Sequence, residues 1–178
     1  MAYTRDRKAR PPLDRDSLER LAIAYVGRYA TTRAKLNAYL LRKLKERGWS
    51  GEGPAETDAL CDKCVRLGFI DDAAFAAARA TALGRRGYGA RRVDIALRAA
   101  GVGEADGSEA RAIADDGALA AAMRFAERKR IGPYASAPPD DAARRRQFAA
   151  MMRAGHPYDL VRKVLRASPD ELEDEDLR

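Results

Sequence analysis

Apolar residues recur along this chain at the spacing of amphipathic helices, and nowhere with the strict alternation of a half-buried strand. Leu18, Leu21, Ala22 and Tyr25 fall at i, i+3, i+4 and i+7, behind an Asp16 and a Glu19 placed like an N-cap and its capping-box partner. Thr31 or Thr32 is the next expected cap, opening a helix over 33–47 that buries Leu36, Leu40 and Leu44, with Tyr39 and Leu41 beside them. Gly48 ends it, because glycine accepts the left-handed conformation just past a helix. After the loop 49–53, Pro54 suits the first turn of a third helix that carries Leu60, Cys61, Cys64 and Val65 to Gly68.

Asp71 or Asp72 caps a fourth helix with Phe75, Ala78, Arg79 and Ala82 on its seam, and the glycines of 84–89 stop it. A fifth, over 90–100, uses Val93, Ala96 and Leu97 and ends at Gly101. Weaker helix is expected over 108–114 and stronger helix over 117–130, with Leu119, Met123, Phe125 and Ala126. Asp140 or Asp141 caps a helix over 142–154 that carries Phe148, Met151 and Met152, until Gly155-His156-Pro157 breaks it. The last, over 158–167, presents Leu160, Val161, Val164 and Leu165. The pattern predicts an all-α protein.

Self-similarity organises these helices further. Leu60-Cys-Asp-Lys-Cys-Val-Arg66 aligns with Leu160-Val-Arg-Lys-Val-Leu-Arg166, and Leu44, Leu97 and Met151 each precede a terminating glycine by four residues. The expected organisation is therefore three tandem trihelical repeats, over 16–68, 71–114 and 116–167, stacked into an elongated curved array. A disordered basic arm over 1–15 precedes them and an acidic tail over 168–178 follows. A single trihelical unit buries too little apolar surface alone, so neighbours must stack.

Composition sharpens the picture. Hydrophobic residues make up 46% of the 178 positions and charged ones 34%, which suits helices sharing narrow apolar seams rather than one large core. The net charge of +7 hides an asymmetry, since the last ten residues hold six acidic side chains against one arginine and leave the body near +12. Such a body favours a polyanion or an acidic protein surface as partner. Its candidate contacts are Lys43, Lys45, Arg47, Arg85, Arg86, Arg91, Arg92, Arg98, Arg128, Lys129, Arg130, Arg144, Arg145 and Arg146, with Tyr88 as a stacking group. Any one of these arginines is ordinarily a solvated helix face. No apolar run approaches the ~20 residues of a membrane span, and the N-terminus lacks the apolar core of a secretory signal, so a cytoplasmic protein is expected.

Catalytic chemistry finds little support. Cys61 and Cys64 form a Cys-x-x-Cys without the preceding strand of a redox site, and they stand where the aligned helix carries Val161 and Val164. Zinc needs four ligands, and His156 is the only histidine. Core packing is the simplest account of the thiols. Gly84-x-x-Gly-x-Gly89 lacks the strand and spacing of a phosphate-binding fingerprint. Trp49, Cys61, Cys64, Phe69 and Phe75 are read as packing residues at the joints between repeats. No enzyme activity, metal or cofactor is expected.

The stretches Leu-Gly-Phe-Ile-Asp-Asp-Ala-Ala-Phe-Ala (67–76) and Gly-Tyr-Gly-Ala-Arg-Arg-Val-Asp-Ile-Ala-Leu-Arg-Ala-Ala-Gly-Val (87–102), with the tandem trihelical layout, resemble the RecX family of bacterial recombination regulators. The resemblance implies a small, non-enzymatic modulator that binds the RecA recombinase filament and limits its ATP hydrolysis, assembly and strand exchange; a monomer is expected. Weak, sequence-independent DNA binding would accompany it. Two other readings stay open. A helix-turn-helix-like DNA-binding regulator would read bases with Arg91, Arg92 and Arg98, although Asn and Gln are absent from that helix. A thiol oxidoreductase would rest on Cys61 and Cys64 alone.

Overall fold

The computed structural model describes residues 10–167. Among them it contains α1 (Arg15–Val26), α2 (Arg33–Arg47), α3 (Thr57–Arg66), α4 (Asp72–Arg85), α5 (Ala90–Ala99), α6 (Ser108–Asp116), α7 (Ala118–Lys129), a 3₁₀ turn (Gly132–Tyr134), α8 (Asp141–Arg153) and α9 (Tyr158–Arg166). The protein is all-α; its only extended pairing among these residues is an isolated bridge between Leu13 and Trp49. Contacts divide the chain into two compact units, residues 1–72 and 73–178.

In the first unit, α1, α2 and α3 close around Leu13, Leu18, Ala22, Leu36, Leu40, Cys61, Cys64 and Ile70. Thr32 caps α2, its hydroxyl accepting from the Lys35 amide at 3.2 Å. Polar ties then fix the helices against one another. The Arg33 guanidinium donates to Asp62 at 2.7 Å and to Asp58 at 3.1 Å, joining α2 to α3. The Asp72 carboxylate accepts from the Arg33 amide at 2.9 Å, so it satisfies an orphan donor in the first turn of α2 as well as opening α4.

In the second unit, Ala76, Ala80, Leu83, Val93, Leu97, Ala100, Val102 and Ala110 form one core, from α4, α5 and α6. Ala122, Phe125, Ala126, Ile131, Met151, Ala154, Val161 and Val164 form another, from α7, α8 and α9. Tyr88 packs against both. Arg111 of α6 reaches Asp94 of α5 at 3.3 Å and the Glu104 carbonyl at 3.0 Å, pinning the polar 103–107 loop. Gly48, Gly101 and Gly155 take φ of +82°, +69° and +95° within two residues of the ends of α2, α5 and α8.

Several local expectations shift. The basic arm is anchored at its end: Leu13 is 0% exposed, its amide donates to the Gly48 carbonyl, and its own carbonyl accepts from Ser50. The cap of α1 is Asp14, accepting from the Ser17 amide at 2.8 Å, because the bridge brings the chain into the helix two residues before Asp16. Pro54 stays in the loop, and α3 begins at Thr57. Gly84 lies inside α4, which continues to Arg85. Its buried face is Ala76, Ala80 and Leu83, whereas Ala78, Arg79 and Ala82 are exposed. Alanines surround that helix, so its phase is not set by periodicity. Residues 1–9 and the acidic tail from 168 lie outside the described residues.

The packing residues read as joints divide too. Cys61 and Cys64 lie within the first core, where Trp49 also packs, its indole nitrogen donating to the Gly53 carbonyl at 2.8 Å. Phe75 is partly buried against the second core. Phe69 differs most: it is 52% exposed and belongs to none of the three cores. These burials separate three substitutions. Leu13→Ala should cost about 2–5 kcal/mol, as for a filled core site, and lower the melting temperature, whereas Phe69→Ala should stay within about 0.5 kcal/mol. Replacing Cys61 and Cys64 by valine nearly conserves volume and should cost less than about 1.5 kcal/mol at each site. An unchanged melting temperature for Leu13→Ala would return residues 10–13 to the status of a free arm.

Candidate partner-binding surface

The glycine-rich loop between α4 and α5 and the first turn of α5 are held by backbone hydrogen bonds to the turn after α8. The Gly89 amide donates to the Ala154 carbonyl at 3.0 Å and the Arg91 amide to the Gly155 carbonyl at 3.2 Å. A Cβ on Gly89 would collide with the Gly155 carbonyl, and one on Gly155 would collide with the Arg92 amide. These glycines therefore serve the close approach of two backbones, and no phosphate cradle is needed to explain them.

That approach sets a cationic surface. Tyr88 lies under the Arg86 and Arg92 guanidiniums, whose centres are 5.4 and 5.9 Å from its ring centroid. From α7, Arg128 lies 5.5 Å from the Phe125 ring and donates to the Arg86 carbonyl. Arg124, one turn earlier, donates to the Gly84 carbonyl at 3.3 Å. Four guanidiniums from three elements are thus gathered about one loop, each attracted weakly by ring faces or carbonyl dipoles and otherwise exposed. Arg124 was missed in the sequence, although it stands four residues before Arg128 and so on the same helix face.

The remaining candidate cations are placed differently. Arg85 and Arg91 flank the same loop and are exposed. Arg98 is drawn to Asp94 at 2.5 Å and Arg144 to Asp141 at 3.3 Å. Arg47 donates to the Pro11 carbonyl at 2.9 Å, so it holds the chain entering α1, and Lys43 is paired with Glu46 at 2.6 Å. Arg130 ends α7 in the left-handed conformation at φ +51°. Lys45, Lys129, Arg145 and Arg146 are exposed.

Beneath the loop, His156 is 0% exposed and stands edge-on to Phe125, with ring centroids 5.7 Å apart. A carbonyl can only accept, so Nε2 carries the proton and donates to the Gly87 carbonyl at 3.1 Å, while Nδ1 has no hydrogen-bond partner among the described residues. Burial pushes the imidazole pKa below its ordinary value, opposed by the Gly87 hydrogen bond. The ring is a neutral strut. Burial likewise pushes the Cys61 thiol up to about 11 and raises that of Cys64, so neither is a thiolate at neutral pH. No group of three or more His, Cys, Asp or Glu among the described residues could hold a metal ion, and no described helix is long and apolar enough to cross a membrane.

No family model matches the chain. It is, however, 34% identical over 166 residues to the regulatory protein RecX of Myxococcus xanthus, covering 85% of this chain and 86% of that one. The chain belongs to the RecX family. The regulatory protein RecX of Agrobacterium fabrum is 29% identical over 147 residues, covering 80% of this chain and 78% of the relative. Solved structures agree in fold: RecX from Lactobacillus salivarius superimposes with a TM-score of 0.60 at 15% identity, covering 92% of this chain and 97% of its own. A second RecX crystal structure gives 0.59 at 17% identity, over 84% and 72%. Both relatives are named as regulatory proteins.

The buried imidazole makes stability depend on pH in a defined direction. Because its folded pKa is depressed, the unfolded chain binds the extra proton first, so stability is fully present above about pH 6.5 and falls as pH drops below it. Melting temperatures of the wild type should therefore decline from pH 7.5 towards pH 5.5, above the range where carboxylates titrate. His156→Gln, which keeps an amide donor and cannot titrate, should flatten that decline. A wild-type profile already flat over the interval would remove His156 from the account.

Proposed function

We propose that the protein binds the RecA recombinase filament and restrains its ATPase, assembly and strand exchange. The observation that carries this reading is the match to proteins named as regulatory RecX over most of both chains. The cationic surface around Tyr88 is the contact best suited to it, because Arg86, Arg92, Arg124 and Arg128 are held by the fold and, among the described residues, engage no carboxylate. A preset cluster of guanidiniums can meet either an acidic protein surface or bound DNA.

The tandem-repeat organisation belongs to the same proposal. Its support is the sequence match between α3 and α9, the three helix triplets with separate cores, and the equivalent glycines past α2, α5 and α8. We place the protein in the cytoplasm as a monomer with weak non-specific affinity for DNA. The helix-turn-helix reading is less well supported, since Arg98 on α5 is occupied by Asp94 and Ile95 beside it is 57% exposed.

A RecA ATPase assay on single-stranded DNA tests the reading directly. Stoichiometric addition of the protein should suppress hydrolysis, and the double variant Arg91→Glu/Arg92→Glu should weaken that suppression by roughly tenfold or more, equivalent to ~1.4 kcal/mol, with unchanged helicity. Undiminished hydrolysis with the wild-type protein would sink the proposal, and undiminished suppression by the variant would move the contact elsewhere.

A further inference from the structure

A second surface, in the first unit, has a chemistry that the filament reading does not use. Tyr25 of α1 stacks on Tyr39 of α2 with centroids 4.3 Å apart and planes 21° from parallel. Tyr29, just past α1, tilts against Tyr25 at 5.3 Å and 54°. The three rings border an open cleft of about 610 Å³ whose other polar lining is cationic: Arg10, Arg28, Arg42 and Lys43. Arg42 and Lys43 lie 5.6 and 5.8 Å from the Tyr39 centroid. Glu46 draws on both, at 3.7 and 2.6 Å, but does not line the cleft. Arg10 and Arg28 make no ion pair among the described residues.

We infer that this cleft is a stacking site for single-stranded nucleic acid. Tyr39 is covered by Tyr25 and its cations, so the pair forms a fixed floor. Tyr29 is 53% exposed and offers the free ring face on which a base can stack. The cations around it lie where the flanking phosphates would run, which is the combination by which sequence-tolerant single-strand sites work. A duplex hides its base faces and engages only the charges. An acidic peptide also matches the charges, but three grouped tyrosines give it no corresponding advantage.

The test uses the full chain without RecA, so its failure is separate from failure of the filament reading. Fluorescence anisotropy would follow a labelled short oligothymidine and, separately, a duplex of the same length. Tyr29→Ala, at an exposed position, should weaken oligothymidine binding by about 5- to 150-fold while altering duplex affinity by about a factor of two or less. Arg28→Ala should reduce the salt slope by about one for both nucleic acids. Absence of oligothymidine binding by the wild type, no loss in Tyr29→Ala, or equal loss for strand and duplex would overturn the stacking site. Displacement of oligothymidine by an equimolar polyglutamate peptide would overturn it in favour of an acidic protein partner.

Discussion

The second unit depends on one close approach, that of the 87–89 backbone to the turn at Gly155 and His156. The Gly89 amide of the α4–α5 connection and the Arg91 amide in the first turn of α5 spend their hydrogen bonds on the carbonyls of Ala154 and Gly155, and the His156 ring donates one to the Gly87 carbonyl. Buried backbone groups must be paired, so this exchange satisfies the loop without making it part of a regular element. Side chains at Gly89 or Gly155 would push the two segments apart. Tyr88 is then left at the seam of two cores with its ring turned towards Arg86 and Arg92.

The thiols of Cys61 and Cys64 and the imidazole of His156 are the residues most suggestive of chemistry, and each is buried in its less reactive, neutral form. What remains exposed is positive charge held at defined places. A guanidinium that already rests on a ring or a carbonyl loses less freedom on binding than one waving in solvent, so a preset cluster binds more than its charge count suggests.

The two cationic surfaces differ in what accompanies the charge. Around Tyr88 the aromatic rings are buried, as Phe125 is, or partly buried, as Tyr88 is, and support arginines. Beside α1 and α2 a half-exposed ring, Tyr29, tilts against one member of a stacked pair. Charge alone attracts any polyanion, so the difference in ring exposure is what separates a surface suited to charge matching from one suited to stacking.

Helix count, the stops at Gly48, Gly101 and Gly155, and membership of the RecX family were legible in the residues, because periodicity, caps and the 67–76 and 87–102 stretches are local patterns. So was the packing of Cys61 and Cys64, through the valines at 161 and 164. The burial of Leu13 was not, since its partners Gly48 and Ser50 lie far along the chain. Nor was the phase of α4, where alanine on every side leaves burial to be decided by whichever neighbours arrive. Among the basic residues, sequence listed the charges without their company: Arg98 and Arg144 meet carboxylates, Arg47 meets a carbonyl, and Arg86, Arg92, Arg124 and Arg128 converge. Local pattern specifies which segments coil and where they stop. Only tertiary packing decides which charges are spent within the fold and which are left for a partner, because pairing depends on distances between residues remote in sequence.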